Sequence, residues 1–258
     1  MLKAILIAMI LPWALCAAAY ADCPLGDLNR DCRVDGDDLV LFARTWLTDS
    51  NSPTDLDDSG FVDYRDLALF SDQWQQMGCP IVINEILAHA HAEASDWIEF
   101  YNVSSIPVHI GGWTLSDKEN ELDRYTIPAG TIVDPCGYLV LYETLSFGNP
   151  LDPGVKELFA FSENGDGAYL YSGDDPNFPG CLVSEQFGAS ETSYSFGRHL
   201  KSTGTYNFVT MSELTPGQPN AYPRIGPVVI NEIMYHPATD GDAEYIELLN
   251  VSNAAVTL

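Results

Sequence analysis

Two stretches of the chain place oxygen-bearing side chains at the spacing a hard cation needs. Asp27-Leu-Asn29-Arg-Asp31-Cys-Arg33-Val-Asp35-Gly-Asp-Asp38 is followed, at an offset of 28 residues, by Asp55-Leu-Asp57-Asp-Ser59-Gly-Phe61-Val-Asp63-Tyr-Arg-Asp66. Oxygens stand at the first, third, fifth, ninth and twelfth places of each copy. That is the ligand pattern of a calcium loop, in which the seventh place, here Arg33 and Phe61, contributes its backbone carbonyl. Calcium takes about six to eight oxygens, and one tight loop can wrap them around the ion. Two Ca2+ ions are therefore expected. Residues 22–79 contain thirteen Asp and neither Glu nor Lys, and ten of those Asp lie in the loops, so the acid is concentrated where the cation would sit. The copies depart from an ideal loop in three ways. Gly60 supplies the sharp turn at the sixth place of the second copy, whereas Cys32 must accept it in the first, at about 1–2 kcal/mol. The twelfth place is Asp in both copies, and Ser59 replaces a carboxylate.

The elements that must position these loops follow directly. Leu39, Phe42 and Trp46 recur as Leu67, Phe70 and Trp74, spaced i, i+3 and i+7. This predicts a helix after each loop, with the two apolar stripes buried against each other. Twin Asp-x-Asn/Asp-x-Asp/Ser loops, each followed by Leu-x-Leu-Phe, resemble a type I dockerin domain over about residues 24–78. The resemblance implies two bound calcium ions and docking onto a cohesin-like partner in an extracellular scaffold, often one that holds polysaccharide-degrading enzymes. In that family the tenth and eleventh loop places help choose the partner. Here they are Gly36-Asp37 and Tyr64-Arg65, a difference that speaks against a symmetric two-way docking.

The segment before the loops indicates export. Lys3, an apolar run over Ala4–Ala19 and the small-x-small pattern Ala19-Tyr20-Ala21 predict a signal peptide over residues 1–21. The run falls short of the roughly 20 apolar residues a membrane span needs. An extracellular or cell-surface location and oxidised cysteines are expected. Cys23 and Cys79 bracket the calcium unit and are expected to pair. Cys136 and Cys181, which lie near turns of the following domain, are expected to form a second bridge. Cys32 is left over as a competitor for Cys23 or Cys79.

A longer repeat organises the rest. Ile81-Val-Ile-Asn84-Glu85-Ile86 recurs as Val228-Val-Ile-Asn231-Glu232-Ile233, and Trp97-Ile-Glu99-Phe-Tyr-Asn102 as Tyr245-Ile-Glu247-Leu-Leu-Asn250, at offsets of 147 and 148. A repeat this long is a whole domain. Residues 80–223 hold the first copy, and 224–258 the start of a second, truncated one. The chain is therefore expected to be a piece of a longer protein. Short apolar or alternating runs at Ile81–Leu87, Trp97–Val103, Tyr138–Tyr142 and Ala168–Tyr171, separated by turn signals, predict an all-β sandwich. Asn164–Gly167 is expected to be a hairpin turn.

Further motifs carry a resemblance. They are Asn84-Glu85-Ile86, Trp97-Ile-Glu99-Phe-Tyr-Asn102, Gly112-Trp113-x-Leu115-Ser-Asp117, Ile127-Pro-Ala-Gly130 and Gly137-Tyr-Leu-Val-Leu141, then Gly165-Asp-Gly-Ala-Tyr-Leu170, Ser195-Phe-Gly197-Arg198 and Thr215-Pro-Gly217-Gln-Pro-Asn220. Their order is similar to that of lamin-tail domains, which implies an immunoglobulin-like sandwich serving as an accessory module. The fold class expected is thus multidomain: a small α pair of calcium loop–helix units, then an all-β immunoglobulin-like sandwich with a second one truncated.

Catalytic signals are weak. His89 and His91 with Glu93 or Asp96 could bind a metal, but an exposed loop between strands is the better reading. Glu85 and Glu99 fit structural strand positions better than acid–base work. Trp97, Tyr101, Trp113, Tyr169 and Tyr171 could form a sugar-stacking platform, although alternation sends some of them to the core. A net charge of −26, from 37 acidic against 11 basic residues, argues against nucleic acid and anionic lipid as partners. The reading that results is a secreted, non-catalytic modular binding protein with a cohesin-like partner and a polysaccharide or cell-surface ligand. The alternative is the accessory region of an extracellular enzyme (a polysaccharide-degrading hydrolase, nuclease, phosphatase or spore-coat-type kinase) whose catalytic domain lies outside this chain.

Overall fold

The computed structural model describes residues 23–49, 52–235 and 244–257, so the expected signal peptide lies outside the described residues. Each acidic loop runs into one short helix, α1 (Gly36–Arg44) and α2 (Tyr64–Asp72). Both start for the same reason. Asp35 and Asp63 occupy the N-cap, and the Asp three residues on, Asp38 or Asp66, reaches back to the cap's backbone N–H in a capping box. The helices meet through Phe42 and Phe70, whose rings stack with centroids 5.4 Å apart over Val34 and Val62.

The expected stripes are buried only in part. Leu39, Leu67, Trp46 and Trp74 are all exposed. Each helix has nine residues, so Trp46 and Trp74 fall past its end. There each packs against the side of Phe42 or Phe70, at 5.8 Å, rather than across the helix pair.

The rest is antiparallel β. Strands β1 (Ile81–Leu87), β2 (Trp97–Asn102), β7 (Tyr138–Tyr142), β10 (Phe196–Leu200) and β11 (Tyr206–Thr210) form one sheet in the order β11-β10-β1-β2-β7. Strands β4 (Thr114–Ser116), β5 (Tyr125–Thr126), β8 (Asp166–Tyr171) and β9 (Leu182–Phe187) form the second, in the order β5-β4-β8-β9. Strands β3 (Val108–His109) and β6 (Ile132–Val133) pair with each other in a separate two-stranded sheet. Ile83, Ile98, Phe100, Trp113, Leu115, Tyr125 and Leu170 fill the space between the sheets, as in a sandwich core. Phe147, Phe159 and Phe161 extend it, with centroids 4.8–5.7 Å apart. Central β1 is buried along its whole length.

Residues 163–165 turn the chain into β8 but do not join two ladder strands, since Phe159 and Phe161 enter the turn as core side chains. The expected hairpin there is absent for that reason. The second repeat gives the hairpin β12 (Val228–Met234) and β13 (Tyr245–Asn250). Its register, including the irregularity at Ile230/Glu232, copies that of β1 and β2 at Ile83/Glu85.

The disulfides differ from expectation. Cys23 pairs with Cys32, not Cys79, and Cys79 pairs with Cys181, not Cys136. The loop's own curvature brings Cys32 to 4.8 Å from Cys23 between Cα atoms. Cys79 lies at the junction and faces the start of β9, 5.5 Å from Cys181. Counting cysteines domain by domain fails because the loop–helix unit and the sandwich share an interface. Cys32 is a fully buried member of the sandwich core cluster, and Cys23 and Cys79 pack on it. Ser105 donates to the carbonyls of Arg30 (2.7 Å) and Asn29 (2.9 Å). Arg33 donates to the Asn177 carbonyl and lies 5.2 Å from the Phe178 ring.

Candidate metal centre

Both loops fold alike from the same residue types. Positive φ occurs at Arg30 and Asp58, at Cys32 and Gly60, and after the helices at Leu47 and Gln75. The strained turn expected at Cys32 is present, with φ 64°. In the first loop, Asp27 accepts N–H bonds from Asp31 (2.9 Å) and Cys32 (2.8 Å), and Asp38 accepts from Leu28, Asn29 and Asp35. In the second, Asp55 accepts from Ser59 and Gly60, and Asp66 from Leu56, Asp57 and Asp63. The first-place and twelfth-place carboxylates therefore tie each loop's backbone together.

The remaining residues serve the same rings. Asn29 accepts from the Asp31 N–H, and Asp31 from the Arg33 N–H. Asp57 accepts from the Ser59 N–H, and the Ser59 hydroxyl donates to the Phe61 carbonyl at 3.1 Å. Asp35 and Asp63 are the helix caps. Oxygens of Asp55, Asp57 and Asp66 come within 4.8 Å of one another. In the first loop the carboxylates act on one another electrostatically. Burial pushes the Asp27 carboxyl up to about 6, and the charges of Asp31 and Asp38 add to the rise while backbone N–H groups oppose it. Burial also raises Asp31, again with help from Asp38 and Asp35. A dication would relieve such crowding. The donor set is all oxygen, which fits a hard cation. Residues Asp27, Asn29, Asp31, Arg33, Asp35 and Asp38, and Asp55, Asp57, Ser59, Phe61, Asp63 and Asp66, are the ones that would hold it.

The sandwich carries a second polar cluster, which binds its own chain. Glu85 and Glu99 face each other across β1 and β2, both fully buried. Glu85 accepts from the hydroxyls of Ser195 and Thr215, the latter at 2.6 Å. Glu99 accepts from the Gly217 N–H and from Asn84 Nδ2. Asn84 also donates to Asn220, which donates back to the carbonyls of Asn84 and Arg198. The scattered motifs Asn84-Glu85, Glu99, Ser195 and Thr215–Asn220 thus meet in one latch that pins the segment after β11 to the sheet. Gly197 lies beneath it, where a Cβ would stand 2.8 Å from Met211 Cε and 2.9 Å from Asn220 Nδ2 and would push on the latch.

Residues 75–177 match the lamin tail domain family model. Comparisons with curated proteins and with solved structures gave no match. The lamin tail domain is a non-catalytic immunoglobulin-like domain, consistent with the antiparallel sandwich. The latch residues Ser195 and Thr215–Asn220 lie beyond the matched residues of the lamin-tail region, yet fold against it.

Within the sandwich the other candidates have structural duties. His89 faces the Ser190 carbonyl through Nδ1 and Thr192 through Nε2, with Glu163 3.4 Å away, so both ring nitrogens are engaged. Trp97 and Trp113 are core residues and Tyr169 is buried, as expected for some of these aromatics. Asn102, in an Asn-x-Ser sequence, is fully buried and donates to the carbonyls of Ile106, Val133 and Asp134, which removes it as a glycan acceptor. Sequence reasoning missed Arg33 as the joint to Asn177 and Phe178. Its only signal was a basic residue inside an acidic loop.

Proposed function

We propose that this chain is a secreted, non-catalytic modular binding protein. Its paired loops take two Ca2+ ions, one per loop, and form a dockerin-like docking unit for a cohesin-like partner. The lamin-tail sandwich acts as an adhesion or interaction module. The observation that carries the reading is the equivalence of the two loop–helix units. Two acidic loops 28 residues apart share every positive-φ position, the same carboxylate-to-backbone bonds and the same capping boxes. Such matched geometry, with oxygens at all ligand places, is what two calcium loops require.

A docking role is supported by the side chains the helices leave outside. Leu39, Val40, Tyr64 and Leu67 are exposed on α1 and α2, with Trp46 and Trp74 just past the helix ends. Exposed apolar groups grouped on so small a unit suit a partner surface. Glu85 and Glu99 spend their acceptors on the latch, which supports a structural role for this pair.

Capture on immobilised cohesin modules, in calcium and in chelator, tests the reading. Capture that needs calcium is expected. A chain that loads calcium yet is captured equally in chelator, or never, contradicts the docking role.

A further inference from the structure

One face of the five-stranded sheet has a composition unlike the rest of the molecule. Across the strand order β11-β10-β1-β2-β7, every strand helps line a single groove that includes Tyr206, Arg198, Asn84, Tyr101 and Tyr138, with His199 and Leu200 also coming from β10. Asn220 of the latched segment forms a wall. The groove encloses about 290 Å³. At about 4.8 Å per strand, the row of side chains extends roughly 15–20 Å. Its ends are aromatic. Tyr101 and Tyr138 have ring centroids 4.8 Å apart, and the Arg198 guanidinium lies 4.2 Å over the Tyr206 ring.

The charge is equally distinctive. In a chain with 37 acidic residues, no carboxylate lines this groove. A cationic ligand would meet Arg198, and a polyanion would be repelled by a chain of net charge −26. A neutral, polyhydroxylated chain meets neither penalty. It can lay C–H faces on tyrosine rings and hydrogen-bond to the guanidinium and phenol groups. The fold does not itself demand the aromatic row. The β12–β13 hairpin keeps the same register as β1–β2 but carries Leu249 at the place of Tyr101.

From this placement we infer that the groove of Tyr206, Arg198, Asn84, Tyr101 and Tyr138 binds a neutral glycan chain. The inference deepens the adhesion half of the proposed function and is independent of the calcium loops.

The test is affinity electrophoresis of the whole chain in gels containing soluble xylan, mixed-linkage β-glucan or galactomannan, with polygalacturonate as the anionic counterpart, each run in calcium and in chelator. Retardation by a neutral polymer is expected, weakened at least about fivefold in Tyr138→Ala. Tyr101→Leu should weaken it similarly, and that hairpin tolerates Leu at this place in the second copy. Circular dichroism checks that each variant is folded. Arg198→Gln should weaken it while circular dichroism still shows a folded chain. Retardation by polygalacturonate alone, by no neutral polymer, or undiminished in folded Tyr101→Leu would overturn the assignment. Retardation in both calcium and chelator keeps this result separate from the fate of the docking reading.

Discussion

Cys32 is joined to Cys23, and the ring so closed encloses Asp27, Asn29 and Asp31, three of the proposed ligands of the first loop. Cys32 is also where the loop needs a positive φ that Gly60 provides in the second copy. The disulfide thus restrains a turn that the side chain at that place disfavours. Cys23→Ser should weaken calcium binding at the first loop by roughly tenfold, from lost restraint of a short ring, and leave the second loop unchanged. Calcium titration followed by calorimetry checks this, with Asp55→Ala used to isolate the first loop. Non-reducing peptide mapping should recover Cys23–Cys32 and Cys79–Cys181 peptides.

Arg33 couples the loop–helix unit to the sandwich. Its side chain donates to the Asn177 carbonyl and packs on Phe178. Arg33→Ala removes both and leaves its backbone carbonyl in place, at a cost of about 1 kcal/mol. Denaturant unfolding should show that loss, and limited proteolysis should cut more readily near residues 173–181. Unchanged cleavage there would indicate that the disulfide Cys79–Cys181 and the Ser105 bonds hold the joint without Arg33.

Much of this arrangement was legible in the sequence, for identifiable reasons. Strands β1 and β7 run over Ile81–Leu87 and Tyr138–Tyr142, the bounds their short apolar runs indicate, although Asn84-Glu85 interrupts the first and β7 lies at the sheet edge. The loops were legible because all their ligand places fall within a short span. The cysteine pairing was not, since Cys79 and Cys181 are 102 residues apart and meet only through the domain interface. Nor was the fate of Trp46 and Trp74. Their i+7 spacing is helical, but the helices stop before it. The latch was visible only as separate motifs, and nothing in their spacing reveals that Ser195 and Thr215 converge on Glu85.

The latch makes a pH prediction. Burial pushes the Glu99 carboxyl up to about 7, and the charge of Glu85 adds to it, while Gly217 and Asn84 hold it down. A carboxyl raised in the folded state favours folding while protonated. Its contribution is present at pH below the usual value near 4.5 and is lost as pH rises to about 7. Glu85 is raised in the same direction by burial. Sandwich stability should therefore fall between about pH 4.5 and 7, by an amount on the order of 2 kcal/mol. Glu99→Gln should start less stable, having one mismatched partner, but show a shallower fall. Melting temperatures of both proteins across that range decide it, and parallel curves would contradict the role given to Glu99.

The twin acidic loops are proposed calcium sites. Isothermal titration of the whole chain with calcium, after removal of metal by chelator, tests this most directly. Two ions should bind per chain, one after Asp27→Ala or Asp55→Ala, and none after both. Magnesium should compete poorly, because it demands a smaller octahedral shell and sheds water reluctantly. A chain that binds no calcium, or whose binding survives both substitutions, would contradict the account.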